Sequence, residues 1–154
     1  MLPELRNQLE IERHLLRRLL DEQRSLVSEC RTRAPTNAER TILAATLHAF
    51  YNGVENVFKR IAAEFDGGVP GGPSAHRDLL DAMARPGTNR PRVISDDLRD
   101  ALDPYLDFRH LFRHAYTFNI QWELMADSVF RCEATLRLLE DEIDRFLSSL
   151  GGEA

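Results

Sequence analysis

Lysine is nearly absent from this chain of 154 residues. Lys59 is the single lysine among twenty basic residues, and all the others are arginines. Acidic residues outnumber basic ones, which leaves a formal net charge of -5 at pH 7. This balance excludes a protein that binds nucleic acid with most of its surface, so contact with a phosphate backbone requires a local arginine patch.

Cysteine and long apolar runs are scarce as well. Cys30 and Cys132 lie far apart in the sequence, which excludes a zinc ribbon and a disulfide scaffold, so we expect two buried, reduced thiols. The chain has neither a long uninterrupted apolar run nor a signal peptide, and its glycine-rich segment 66–75 lacks the Lys-Ser/Thr ending of a phosphate-binding loop. We therefore expect a soluble cytoplasmic protein that needs no cofactor and contacts no membrane.

Strand patterns are missing too. Apolar residues instead recur at spacings of three and four, and they predict helices at residues 3–33, 36–65, 76–84, 95–118 and 121–150, with loops at 66–75 and 85–94. Thr36 and Glu39 have the pattern of a capping box, Ser74 is placed to cap the short helix, and Pro104 predicts a bend or break in the fourth helix. The sequence thus predicts a single all-α domain, an antiparallel four-helix bundle with an additional short helix.

Polar residues interrupt the apolar seam of the second predicted helix. Gly53 costs about 1 kcal/mol of helix stability there, and close packing against another helix explains it more simply than a nearby site. His48 is expected at the edge of the core, with the alternative that it reaches a site. Charges of opposite sign along the first helix are typical of a solvated face, formed by Arg6, Glu10, Arg13, Arg17, Asp21 and Arg24.

Chemically active side chains are concentrated in the fourth predicted helix. Five of them stand within eight positions: Arg109, His110, Arg113, His114 and Tyr116. Arginine supplies a permanent cation whose planar fork fits phosphate oxygens, histidine exchanges a proton near neutral pH, and tyrosine offers a hydroxyl. Two interpretations follow from composition and spacing: a site that acts on a phosphodiester, or a charged helix face in solvent.

Helix geometry divides this stretch. At about 100° per residue, Arg109, Arg113 and Tyr116 fall within about 60° of one another, whereas His114 lies about 140° from Arg109. Arg109 and His114 therefore cannot easily reach one phosphate from a straight helix. Either the backbone bulges or kinks between them, or two copies of the chain meet at a two-fold axis and share their residues.

His110 and His114 are also spaced like two metal ligands on a helix. A zinc hydrolase needs in addition the glutamate of an H-E-x-x-H motif and a third ligand, and this stretch contains neither. We therefore expect no metal here.

A second basic segment lies in the predicted loop 85–94. Arg85, Arg90 and Arg92 stand there without an acidic residue. A mobile basic loop is suited to contact the phosphate backbone of RNA, so these arginines are candidates for that role.

In the dense stretch, Arg109 and His110 are followed by three residues and then by His114, Ala115 and Tyr116. This pattern resembles the R-x4-H-x-Y signature of HepT-like ribonuclease toxins in the HEPN superfamily. The order of helices is similar too, with the signature before the last helix. Residues 50–62 and the glycine-rich loop after them resemble one HepT-like branch. The resemblance therefore covers most of the chain.

This resemblance implies a metal-independent endoribonuclease toxin of a type VII-like toxin-antitoxin pair, a homodimer that holds both motifs in one cleft and cuts RNA rather than DNA. Arg109 and His114 would be catalytic, with His110 and Arg113 in support. The antitoxin would be a nucleotidyltransferase, which in some members adenylylates the motif tyrosine, here Tyr116. The alternative is a catalytically silent HEPN module that binds nucleotide or scaffolds a nucleotidyltransferase partner.

Overall fold

A computed structural model describes residues 2–116 and 119–151 of the chain. Within these residues the chain forms six α-helices and no strand, and none of the helices is both long and apolar enough to cross a membrane. The helices are α1 (Leu2–Glu22), α2 (Arg24–Glu29), α3 (Asn37–Phe65), α4 (Ala75–Met83), α5 (Asp96–His114) and α6 (Ala126–Gly151), with a 3-10 turn at Trp122–Leu124. The predicted all-α helical bundle is confirmed.

Helix α3 occupies the centre of the bundle and packs against α1, α4, α5 and α6. Its predicted seam is buried, as hydrophobic burial at a spacing of three and four requires. The buried members of that seam are Leu43, Leu47, Phe50, Val54, Val57 and Ile61. The same core takes in both cysteines, which are buried and unpaired as predicted.

The start of α3 and the contact at Gly53 also follow the predictions. The Thr36 hydroxyl accepts a hydrogen bond from the backbone N–H of Glu39 at 3.1 Å, and the Glu39 carboxylate accepts one from the backbone N–H of Thr36 at 2.9 Å. At Gly53, a Cβ atom would lie 2.5 Å from Cδ2 of Leu16. The glycine is therefore required by the close approach of α1 to α3.

Several predicted helix boundaries are wrong. The first helix ends at Glu22 and a second one begins at Arg24, because the N–H of Gln23 bonds to the carbonyl of Leu20 in a tighter turn. Ser74 precedes α4 without a side-chain cap. Helix α5 continues through Pro104, so of the predicted bend or break the break does not occur. The last helix begins at Ala126, five positions later than expected, after the 3-10 turn.

Two arginines of the predicted solvated face are partly buried and paired across the bundle, whereas Arg6, Glu10, Asp21 and Arg24 are exposed as predicted. Arg13 forms an ion pair with Asp144 at 2.5 Å, and Arg17 bridges Glu133 at 2.6 Å and Glu140 at 3.0 Å. These acids belong to α6, so the arginines join the first long helix to the last. The sequence pattern could not show this because the partners lie more than a hundred residues away.

Candidate functional site

The motif stretch occupies the end of α5, and the helix stops earlier than predicted. His114 is its last residue, and Ala115 has an extended backbone with φ -134° and ψ 153°. Tyr116 therefore lies beyond the helix, so the predicted face shared by Arg109, Arg113 and Tyr116 is wrong for the tyrosine. Residues 117 and 118, predicted to continue this helix, lie outside the described residues.

The sequence did contain a signal that α5 ends at His114. Arg113 and His114 fall in the last turn of α5, where the negative end of the helix dipole favours basic side chains. Two adjacent basic residues are therefore typical of a helix that is about to finish.

The helix is continuous through the motif, so the first of the two geometric solutions finds no support within one chain. Residues 109–114 are all α-helical, without the bulge or kink that would bring Arg109 and His114 together. The two side chains consequently diverge by about 140° within one chain. On the side of His114, the rings of His110 and His114 lie with their centroids 4.5 Å apart, and both residues are exposed.

The two arginines of the motif have no carboxylate partner within the described residues. The nearest acids on the same helix are engaged by α4, where Arg77 pairs with Asp103 and, at 3.3 Å, with Asp107. Most other arginines of the described chain do form ion pairs, including Arg13, Arg17, Arg33, Arg60, Arg90, Arg99 and Arg137. Arg109 and Arg113 thus carry positive charge that an incoming phosphate can neutralise.

A histidine from α3 lies on the same side of α5 as the two arginines. The ring of His48 stacks on that of Phe112 with centroids 4.6 Å apart and an interplanar angle of 24°. Burial, and then the positive charges of Arg109 and Arg113, lower the pKa of His48. Phe112 lies about 60° from Arg109 and about 160° from His114 around α5. Within one chain, the histidine on the arginine side is therefore His48, a position that spacing along α5 alone could not reveal.

The loop arginines do not join this site. Arg92 and the motif are separated by most of α5, and the helical rise from Asp96 to Arg109 alone is about 20 Å. Arg85 is exposed, and Arg92 lies 3.8 Å from Asp96. The loop arginines therefore lie beyond the end of α5 opposite the motif.

The prediction that Arg90 contacts RNA is wrong. Its side chain is 2% exposed and forms a fork with Asp66, through Nε at 2.9 Å and Nη2 at 2.8 Å. It also donates to the backbone carbonyls of Ala82, Arg85 and Pro91. Arg90 therefore ties the loop to the end of α3.

Two further observations concern the surface around the motif. Tyr116 is 70% exposed, so most of this residue faces away from the protein core. Among the residues that the structure describes, no group of three or more His, Cys, Asp or Glu side chains is arranged to hold a metal ion.

Comparison with known proteins supports the resemblance seen in the motif. A family model described as HepT-like protein matches residues 42–150, which is well over half of the chain and includes most of α3 and the complete motif. No curated protein and no solved structure matches the chain. With its all-α bundle and the motif at the end of α5, the chain belongs to the HepT-like family of the HEPN superfamily.

Proposed function

We propose that this HepT-like protein is a metal-independent endoribonuclease and the toxin of a type VII-like toxin-antitoxin pair. The observation that carries this proposal is the pair of unneutralised cations, Arg109 and Arg113, on a helix that ends in an exposed histidine. Cations that are free to meet phosphate, next to a group that exchanges protons near neutral pH, are what phosphodiester cleavage requires.

The regular geometry of α5 supports a homodimeric site. Because Arg109 and His114 diverge on one helix, a two-fold axis near the end of α5 would let Arg109 act together with the partner's His114. Arg113 would hold a neighbouring phosphate. His110, whose ring contacts that of His114, would orient the catalytic histidine.

The chemical steps then follow from these roles. His114 acts as general base or general acid while the ribose 2'-oxygen attacks phosphorus and the bond to the 5'-oxygen breaks. Arg109 stabilises the negative charge that builds on the phosphoryl oxygens. The products are a cyclic 2',3'-phosphate and a free 5'-hydroxyl.

Control by the partner would act on Tyr116. We propose that a nucleotidyltransferase antitoxin adenylylates this tyrosine, which follows the candidate catalytic residues at the end of α5. Mass spectrometry of the protein expressed with and without the antitoxin gene tests this step. An adenylyl addition on Tyr116 only in the co-expressed protein supports it, and a tight complex with an unmodified tyrosine contradicts it.

Replacement of His114 by Ala tests the ribonuclease directly. We expect RNA cleavage to fall by about a hundredfold to ten-thousandfold, the usual contribution of a general acid or base, with the fold unchanged by circular dichroism. The exposed His14 of α1 provides the matched control, since His14→Ala should cleave like the wild type.

Two substrate controls complete this test. A 2'-deoxy sugar at the cut must block cleavage, and EDTA must leave the rate unchanged. Normal cleavage by His114→Ala would contradict the assignment. A wild-type protein that is inert toward RNA but binds the nucleotidyltransferase would instead support a catalytically silent HEPN module.

A further inference from the structure

Three buried polar atoms between α3 and α5 have no hydrogen-bond partner in the described part of the chain. They are Nδ1 of His48, the hydroxyl oxygen of Tyr51 and Nε of Arg109. Buried polar groups in folded proteins are almost always hydrogen-bonded, and exceptions concentrate where function keeps them. The three atoms lie on the two helices that bring Arg109 and His48 together.

The positive charge of Arg109 affects both His48 and Tyr51. His48 and Tyr51 are three residues apart on α3 and so share a face of that helix. Burial raises the pKa of Tyr51 and the negative charge of Glu55 adds to the rise, whereas the positive charges of Arg77 and then of Arg109 oppose it. Burial lowers the pKa of His48, and the charge of Arg109 lowers it further. The ring contacts of His48 with Phe112 at 4.6 Å and of Phe50 with Tyr105 at 5.1 Å set α3 antiparallel to α5, so Arg109 stands at the level of His48 and Tyr51.

The other polar groups around Tyr51 are already engaged. Glu55 is 3% exposed and its carboxylate lies 2.6 Å from Nδ1 of His76. Asp103 pairs with Arg77. Neither arrangement includes the Tyr51 hydroxyl, so the phenol oxygen is an acceptor that the surrounding network does not use.

The stability of the folded protein does not explain why position 51 holds a tyrosine rather than a phenylalanine. Tyr51 is completely buried, and phenylalanine would fill the same space without leaving a polar atom unsatisfied. Tyr105, a second buried tyrosine, shows the ordinary case, because its hydroxyl donates to the carbonyl of Ser128 at 2.7 Å. Two buried tyrosines of one core thus differ in whether their hydroxyls are satisfied.

We propose that Tyr51 and His48 are positioning residues that hold the guanidinium of Arg109 in the orientation in which it meets the RNA phosphate. A guanidinium has only donors, whereas a phenol oxygen and a neutral imidazole nitrogen both accept. A modest rotation of Arg109 toward α3 would pair it with both, and its remaining N–H groups would then point at the phosphate. This inference rests on the ribonuclease function proposed above.

Tyr51→Phe, compared with Tyr105→Phe, tests the inference. We expect Tyr51→Phe to lower RNA cleavage by about tenfold to a hundredfold, the effect of losing a hydrogen bond to a charged group, and to leave Tm unchanged or higher. Tyr105→Phe loses a satisfied bond and should show the reverse, a lower Tm with normal cleavage. Cleavage by Tyr51→Phe at the wild-type rate, or a loss of Tm in parallel with activity, would overturn the proposal.

A measurement without RNA separates this inference from the function on which it rests. With inorganic phosphate added in place of the RNA phosphate, the NMR signal of the Arg109 Nε–H, assigned by its loss in Arg109→Lys, should shift in Tyr51→Phe and His48→Gln and stay in place in Tyr105→Phe. An unchanged signal in the first two variants contradicts the positioning role even if the wild type cleaves RNA. A wild type that never cleaves RNA contradicts the proposed function, while the signal still reports whether Tyr51 and His48 hold Arg109.

Discussion

Arg90 shows how a single side chain can support a structure that its loop composition does not reveal. A fork to Asp66 and three bonds to backbone carbonyls leave its guanidinium fully occupied inside the protein. An arginine among glycine, proline and asparagine looks solvent-exposed from the sequence. The carboxylate that accepts its hydrogen bonds belongs to Asp66, 24 positions earlier, and no local sequence pattern can indicate this partner.

Replacement of Arg90 by Ala should therefore destabilise the protein without weakening an RNA contact. The change leaves Asp66 and three carbonyls without their donor, and we expect the free energy of unfolding to fall by about 3 kcal/mol. Urea denaturation measures this. Arg85→Ala, at an exposed position of the same loop, is the control and should unfold like the wild type. Equal stabilities for the two variants would contradict the structural role of Arg90.

His48 should make the stability of the protein depend on pH. Its pKa in the folded protein is lowered from 6.5, chiefly by burial and then by Arg109 and Arg113. As the pH falls below 6.5, the unfolded chain binds a proton at this position more readily than the folded one, so the free energy of unfolding decreases. Above 6.5 both states are neutral at His48 and this contribution is fully present.

The comparison of His48→Gln with the wild type isolates this effect. We expect the difference in unfolding free energy between about pH 7.5 and about pH 5.5 to be smaller in the variant, because glutamine does not titrate. Urea denaturation at both pH values is the measurement, and His14→Gln on the exposed face of α1 should keep the wild-type difference. If His48→Gln keeps it as well, the lowered pKa of His48 is wrong.

Whole helices were more predictable than their ends. The buried seam of α3 and its capping box depend on residues within a few positions of one another, so periodicity and local hydrogen bonding were sufficient to predict them. The interruption at Gln23 and the extended backbone at Ala115 were missed. No glycine or proline marks either place, and the basic last turn of α5 was the single local signal.

The contact between α1 and α3 can be tested at Gly53. Alanine has the higher helix propensity, by about 1 kcal/mol. Its Cβ atom, however, would lie 2.5 Å from Leu16, and we expect the overlap to make Gly53→Ala less stable than the wild type by about 1–3 kcal/mol. Thermal unfolding followed by circular dichroism measures the net effect.

Gly71 supplies the control for that substitution. A Cβ atom added there meets nothing within 4 Å, so Gly71→Ala should leave Tm unchanged. A Gly53→Ala variant that is as stable as Gly71→Ala would mean that the Leu16 side chain makes room without cost, which contradicts the tight packing at this contact.

The molecule as a whole presents its two candidate catalytic groups on different sides of one helix. Arg109 and Arg113 lie on the side of α5 where Phe112 stacks on His48 of α3, whereas His114 lies with His110 on another, exposed side. The sequence was sufficient to predict the divergence of Arg109 and His114, because it follows from their spacing on a helix. It offered a site only as the alternative position for His48 and did not single out Tyr51, because both residues come from α3 and meet α5 only in the fold.

Mixing two inactive variants tests most directly whether Arg109 and His114 act across a dimer. Arg109→Ala and His114→Ala should each fail to cleave RNA alone. After co-refolding in equal amounts, half of the dimers contain one of each, and each such dimer has one site with an intact Arg109 and the partner's intact His114. Cleavage should then return to about a quarter of the wild-type rate. A mixture that stays inactive while mixed dimers form would contradict the shared site.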